Sequence, residues 1–441
     1  MASGGCCRRI EVIHLTKRER AVMTSTQQKF DISISSEIGA LEGVILHTPG
    51  QEIENMTPQN AERALYSDIL NLSVASLEYA QLRGVLDKVT RTFQVKSLLE
   101  QMLKIDEARR HLIDNICLSE DAEDLRDELL AMPPGELCRC FLEGVLMKKD
   151  NLSRFLDHEK YSLRPLHNFF FTRDSAIAIN DWVLISRMAN KVRTRESLIM
   201  EAIFRFHPMF DVQILDPNTP LEGKRGVQLE GGDILVARHD ILLIGIGART
   251  NPHGVDFLVE HFRKQKRPQH ILVQELPFQP ESFIHLDMVF TFLDTGICMV
   301  YEPVIMQPNR YRTVRISIDN GETVRITEEK NLPEALKDLG MPLELIRCGA
   351  STDPWTQERE QWHSGANFFA IGPGRIIGYR RNINTIEELD RKGFAIIDAT
   401  EVAQGKVDLG RYGRCVITID GSELARGGGG CRCMTMPLRR R

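Results

Sequence analysis

No apolar run in this 441-residue chain approaches the length that crosses a bilayer; "ILLIGIGA" (241–248) is representative of the longest. No membrane partner is therefore expected. Charge of one sign is also lacking. The 56 basic and 61 acidic side chains leave a net charge of −5 without long runs of either sign. That removes any electrostatic case for nucleic acid. Ten cysteines are too dilute for a disulfide scaffold and never fall at CxxC spacing, which sets aside zinc ribbons. The N-terminus has basic residues but no apolar signal core, because Glu11 and His14 interrupt "IEVIHL". A cytoplasmic protein with reduced thiols is expected. Residues 1–30 read as a disordered N-terminal extension, with Met23 as an alternative start.

What is present is a change of texture along the chain. After a strand-like "GVILHTPG" (43–50), residues 58–150 carry apolar side chains at three- and four-residue steps, with little Gly or Pro. This predicts an inserted all-helical bundle. Beyond it, apolar runs come in pairs across short polar or glycine turns: 175–186, 233–247, 288–301 and 367–379. Each is a hairpin pattern, with helix-like stretches such as "RESLIMEAIFRF" between them. Repetition of a sheet-plus-helix unit predicts a radial α/β repeat rather than one open sheet. Equivalent positions would then converge on the axis, bringing together polar groups far apart in sequence.

The residues ahead of the hairpins carry chemistry. Asp174 stands in "NFFFTRDSA", Glu230 and Asp233 flank two glycines in "QLEGGDILV", and His285 and Asp287 interrupt the apolar "FIHLDMVFT". An Asp before a strand is often a turn residue, and two glycines often mark a bulge. The His285–Asp287 pair, read as two residues on one face of a strand, is costly to bury unless paired or used. The chain ends "RGGGGCRCMTMPLRRR". Cys431 and Cys433 admit two readings: zinc ligands beside His285 and Asp287, or a thiolate nucleophile on a flexible loop. No phosphate cradle is supported, because "GGGGCRCM" lacks the GK[ST] ending. A cysteine, a histidine and at least three carboxylates in one apolar pocket suit a cationic substrate. Two carboxylates match the forked N–H groups of a guanidinium and leave its carbon open to sulfur.

Taken together, "NFFFTRD", "LEGGD", "FIHLDMVFT" and "RGGGGCRCMTMP" resemble the bacterial arginine deiminases of the guanidine-modifying superfamily. "SEIGALEGVILHTPG" (36–50) and "EREQWHSGANFFAIGPGRIIGYRRN" (358–382) add to the likeness, which runs from about residue 30 to the end. The resemblance implies a five-bladed, pseudo-symmetric α/β propeller (pentein) over residues 31–441, interrupted by the helical insertion at 58–150. It implies hydrolysis of L-arginine to L-citrulline and ammonia, with no metal and no organic cofactor. Cys433 would be the nucleophile; Asp174 and Asp287 would hold the guanidinium, and Glu230 would assist binding and proton transfer. His285 would protonate departing ammonia and then activate water. Asn168, Arg193 and Arg249 would hold the amino-acid end, Phe171 would line the pocket, and Arg426 is the nearest match to a carboxylate-binding arginine of the loop. Cys431 departs from the family pattern and reads as a neutral substitution. A homo-oligomer is left open.

Overall fold

The computed structural model describes residues 29–441 apart from 58–60, 62–64, 67, 220–225, 267, 307, 320 and 351–352. Its architecture is α/β. Five sheets share one pattern, an antiparallel hairpin and then, after a helical crossover, a strand returning parallel to the second hairpin strand; in the sheet of Phe369–Tyr379 that strand is Cys415–Ile419, and Ala395–Asp398 is added beyond it. In the chain order of their hairpins, four of the five are Ala176–Ile179 with Trp182–Ile185, Ile234–Arg238 with Ile241–Ile246, Phe290–Asp294 with Ile297–Val300, and Phe369–Gly372 with Arg375–Tyr379. These are the four paired runs read from the sequence. The remaining sheet joins the two ends of the chain: Met436–Arg440 pairs antiparallel with Leu41–Leu46, and Arg91–Gln94 lies parallel on the other side.

The hairpin strands are buried on both faces, as in Ala176–Ile179 and Trp182–Ile185, because helices cover one side and neighbouring sheets the other. Parallel return strands need a crossover, and the long helices Leu72–Val89, Thr194–Phe206 and Pro252–Gln265 supply three of them. Pro252 at the first turn and the Asn251 side chain accepting from the Gly254 N–H fix where the last of these begins. The sheet of Ile234–Arg238 and Ile241–Ile246 is widened to five strands by a hairpin, Thr313–Asp319 with Glu322–Glu329, that leaves the following unit, that of Phe290–Val300, to pair with Gln269–Glu275.

Two boundaries differ from the sequence reading. Inside the stretch 58–150, Leu72–Val89 is the crossover helix of the sheet that joins the chain ends; it packs on Ala399–Ala403 and leads into the strand Arg91–Gln94. The helical insertion is shorter, formed by Val95–Met102, Asp106–Glu120, Arg126–Ala131 and Pro134–Glu143. A four-residue strand is too short to show a period, so it was hidden between two helical patterns. Most of the expected 1–30 extension lies outside the described residues, but Phe30 belongs to the fold. It is 5% exposed and meets Phe93 edge-on with ring centroids 5.0 Å apart. Among the described residues no helix is long and apolar enough to cross a membrane.

Candidate active site

Each of the five hairpins is entered through a short turn, and the five turns meet. Three are single helical turns: Thr172–Ser175, Gly231–Asp233 and Leu286–Met288. They carry Asp174, then Asp233 beside Glu230, then Asp287 beside His285. The fourth turn ends in Asn367 just ahead of Phe369–Gly372, and the fifth contains Cys433 just ahead of Met436–Arg440. His285 and Asp287 are thus not on one face of a strand. The helical turn between them aims His285 at Glu230 and Asp174, and Asp287 at Arg432 and Cys433.

The imidazole sits between two acids. His285 Nε2 is 3.0 Å from Glu230 Oε2, and Nδ1 is 3.7 Å from Asp174 Oδ1. His285 Nδ1 and Asp174 Oδ1 are both buried without a hydrogen-bond partner. Burial opposes a charge on His285, but Asp174, Glu230 and Asp233 outweigh it and raise its pKa to about 9. Against burial, the hydrogen bond to His285 and the charges of Arg249, His285 and Arg193 hold Glu230 down at about 2. Glu230 is oriented further by the Ala189 N–H, which donates to Oε1 at 2.9 Å. Asp233 accepts from the Leu286 N–H at 3.0 Å, and burial pushes it up to about 7.

Around the sulfur, Asn367 Nδ2 donates to Cys433 Sγ at 3.2 Å, while its Oδ1 accepts the backbone N–H groups of Arg432 and Cys433 at 2.9 and 3.3 Å. Asp287 Oδ2 lies 3.7 Å from the sulfur. Burial, then the charges of Asp287 and Asp174, drive the thiol pKa well above its ordinary value.

A cavity of about 90 Å³ connects these groups. It is lined by Cys433, His285, Asp174, Asn168, Phe171, Arg193, Arg249 and Arg426, with Gly427–Gly429 across its mouth. Glu230 and Asp287 do not line it but touch residues that do, Glu230 through His285 and Asp287 through Cys433. The structure therefore gathers every residue named from the sequence, with two differences of engagement. Arg193 donates to Asp174 Oδ2 at 2.7 Å and doubly to Glu196, instead of standing free for a ligand. Arg426 sits at the rim, with Nε donating to Asp68 at 3.1 Å and Nη1 to Glu423 at 3.1 Å. The glycine loop is closely fitted: a Cβ at Gly429 would lie 2.5 Å from the Phe171 ring. A larger cavity of about 1040 Å³ adjoins at Asn168, and several of its charged side chains are paired with one another or with neighbours, as in Lys191–Asp121 and Arg195–Glu120.

The zinc set considered above does not assemble. His285 and Asp287 turn to different partners, and Cys431 is a fully buried free thiol. Among the described residues no group of three or more His, Cys, Asp and Glu side chains is set to hold a metal ion.

The sequence profile described as arginine deiminase matches residues 140–440. Arginine deiminases of Bacillus cereus and Bacillus thuringiensis subsp. konkukian are 33% and 32% identical over 437 residues, spanning 94% of this chain and 99% of each relative. The chain belongs to the arginine deiminase family. Two solved structures, each 12% identical, share its fold. SxtG, an amidinotransferase from Microseira wollei, covers 93% of this chain and 97% of its own at a TM-score of 0.53. The substrate-bound N-terminal domain of ArgZ, a cyanobacterial arginine dihydrolase, covers 90% and 98% at 0.50.

Three residues of this family member's site escaped the sequence reading: Asn367, Arg432 and Glu37. Asn367 was within reach, since it occupies the position before the fourth paired run, in the same place as the acids before the other three. One glycine is as demanding as any of these. A Cβ at Gly232 would lie 2.5 Å from His285 Nδ1 and 2.9 Å from Asp174 Oδ1. Gly232→Ala is therefore expected to cut kcat about 100-fold by displacing the imidazole, with the thermal transition nearly unchanged; steady-state rates beside a melting curve check this.

Proposed function

We propose that the protein is an arginine deiminase that converts L-arginine and water to L-citrulline and ammonia through an amidino-cysteine intermediate on Cys433. The observation that carries this is one cavity lined together by the Cys433 thiol, the His285 imidazole and the Asp174 carboxylate, with the Asp287 carboxylate beside the sulfur. The substrate's planar cation enters between the carboxylates, and Asp174 Oδ1, buried without a hydrogen-bond partner, accepts from it. The positive charge beside the sulfur lowers the thiol's pKa. Sulfur then attacks the guanidinium carbon, forming the S–C bond. As the cation binds, the thiol proton passes to solvent; His285, protonated at neutral pH, donates to the departing nitrogen, so that the C–N bond breaks, ammonia leaves and the imidazole is left neutral. Neutral imidazole next takes a proton from water as the water oxygen attacks the same carbon. The S–C bond breaks, the ureido product forms and the thiol is restored. Asn168 and Arg249 hold the amino-acid end, Phe171 flanks the alkyl chain, and Arg193, committed to Asp174 and Glu196, acts on the substrate through Asp174.

The same reading includes a closed five-bladed propeller. Successive units touch all the way round: Met436–Arg440 against Ala176–Ile179, Thr172–Ser175 against Gly231–Asp233, Gly231–Asp233 against Leu286–Met288, Phe290–Asp294 against Phe369–Gly372, and Phe369–Gly372 against Leu41–Leu46. A reducing, cytoplasmic setting fits the eight cysteines among the described residues, all of which are free thiols.

The test is stoichiometry. Purified protein given L-arginine should release citrulline and ammonia in equal amounts. Amidino transfer to glycine without ammonia, or turnover of agmatine but not arginine, would overturn the reading. Run against pH at sub-saturating arginine, kcat/KM should hold up to about 8 and fall as pH rises through about 9, where His285 loses the proton it must donate. A rate still climbing at pH 10 would remove His285 as the acid.

A further inference from the structure

Both guanidinium-gripping carboxylates are themselves gripped by guanidinium groups of the protein. Arg193 Nη1 holds Asp174 Oδ2 at 2.7 Å, and Arg432 Nη1 holds Asp287 Oδ2 at 2.7 Å. In each acid the second oxygen is left over: Asp174 Oδ1 has no partner, and Asp287 Oδ1 has only the Cys433 thiol at 3.9 Å. A carboxylate held at one oxygen cannot rotate freely, so its other oxygen keeps a fixed direction. Arg432 is itself immobilised. Its Nε and Nη2 donate to Glu37 Oε2 and Oε1 at 3.1 and 3.0 Å, Nη2 also reaches the Ile234 carbonyl at 2.7 Å, and its backbone N–H is held by Asn367. Glu37 is anchored in turn by the Val236 N–H at 3.1 Å. The chain Glu37–Arg432–Asp287 thus joins the approach to Leu41–Leu46, the strand Ile234–Arg238 and the nucleophile's own loop, and all three side chains are buried.

We infer that Arg432, locked by Glu37, is a positioning residue for the reaction: it aims Asp287 at the substrate guanidinium and sets the height of the adjacent Cys433. The inference rests on the functional reading above. Lysine cannot replace this arginine, because a single ammonium point charge cannot span two carboxylates as a planar fork does. Glu37 is the sharper probe, since it touches neither the cavity nor the sulfur.

The experiment is steady-state kinetics on Arg432→Lys and Glu37→Gln, with active sites counted by thiol titration and folding followed by thermal melting. Arg432→Lys should lower kcat/KM about 100-fold and Glu37→Gln about 10-fold. In both, KM for arginine should rise and kcat per titrated site should fall. A purely structural role predicts a lower melting temperature with KM and kcat per site unchanged, and that result for Glu37→Gln overturns the inference. Should Arg432→Lys fail to fold, Glu37→Gln decides alone. A wild-type protein that yields no citrulline would defeat the functional reading, whereas this inference fails only where the wild type turns over and Glu37→Gln matches it.

Discussion

Replacing Cys433 with serine abolishes citrulline formation, by roughly 10⁴-fold or more, while arginine still binds; replacing Cys431 with serine leaves most of the activity. The difference follows from what each sulfur faces. Cys433 lines the cavity, receives the Asn367 amide at 3.2 Å and lies within 4 Å of Asp287. Cys431 is buried away from the cavity, and burial alone raises its thiol pKa. A serine at 433 keeps the shape and leaves Asp174 and Asp287 to bind the cation. Its hydroxyl cannot ionise among carboxylates that already oppose the far more acidic thiol. At 431, a hydroxyl in apolar surroundings costs about 1–3 kcal/mol of stability but removes nothing the reaction uses. Isothermal calorimetry with arginine and a citrulline assay on both variants separate these effects. Equal inactivation by the two changes would mean that the sulfurs act as a pair or that the nucleophile is misassigned.

Much of this site was legible because its residues obey a positional rule visible in sequence: polar groups stand just ahead of strongly apolar paired runs. Burying Asp174, Glu230, His285 and Asp287 next to strands of Ile, Val and Phe is tolerable only if they serve one another, and they do. The rule also reached Asn367, which was overlooked because an uncharged amide ahead of a strand raises no energetic alarm. Arg432 and Glu37 were illegible for a different reason. Their meaning lies in a contact between residues 395 positions apart, and neither residue is unusual in its own stretch. The single helical turns Thr172–Ser175 and Leu286–Met288 were missed because three or four residues cannot display a 3.6-residue period. That error reversed the reading of His285 and Asp287, from one shared face to two separate partners. For the fold, the hairpins were found by their length and their turns. The strand Arg91–Gln94 was lost because its neighbours on both sides are good helices, and only pairing with Leu41–Leu46 identifies it.

Asp174→Asn should lower kcat/KM by about 10²- to 10³-fold, with KM raised and kcat reduced together. Asp174 performs two tasks with two oxygens. Oδ2 receives Arg193, and Oδ1, 3.7 Å from His285 Nδ1, is the unpartnered acceptor that meets the substrate. In asparagine the carbonyl oxygen is drawn to Arg193, so the amide N–H₂ turns to the cavity and faces a guanidinium donor with another donor. Arg193 keeps its double contact with Glu196, so the fold is retained and the loss is one of chemistry. A second readout distinguishes this from loose packing. After burial, which acts against it, Asp174 is the largest influence on His285 and the main reason its pKa stands at about 9 instead of 6.5. Without that charge the imidazolium gives up its proton at lower pH, and the alkaline limb of the rate profile should move down toward neutrality. The slowed variant must therefore also fail earlier as pH rises. An Asp174→Asn enzyme that is slow but keeps the wild-type alkaline limb would show that the acid acts on the substrate alone and that Glu230 suffices to hold the proton on His285.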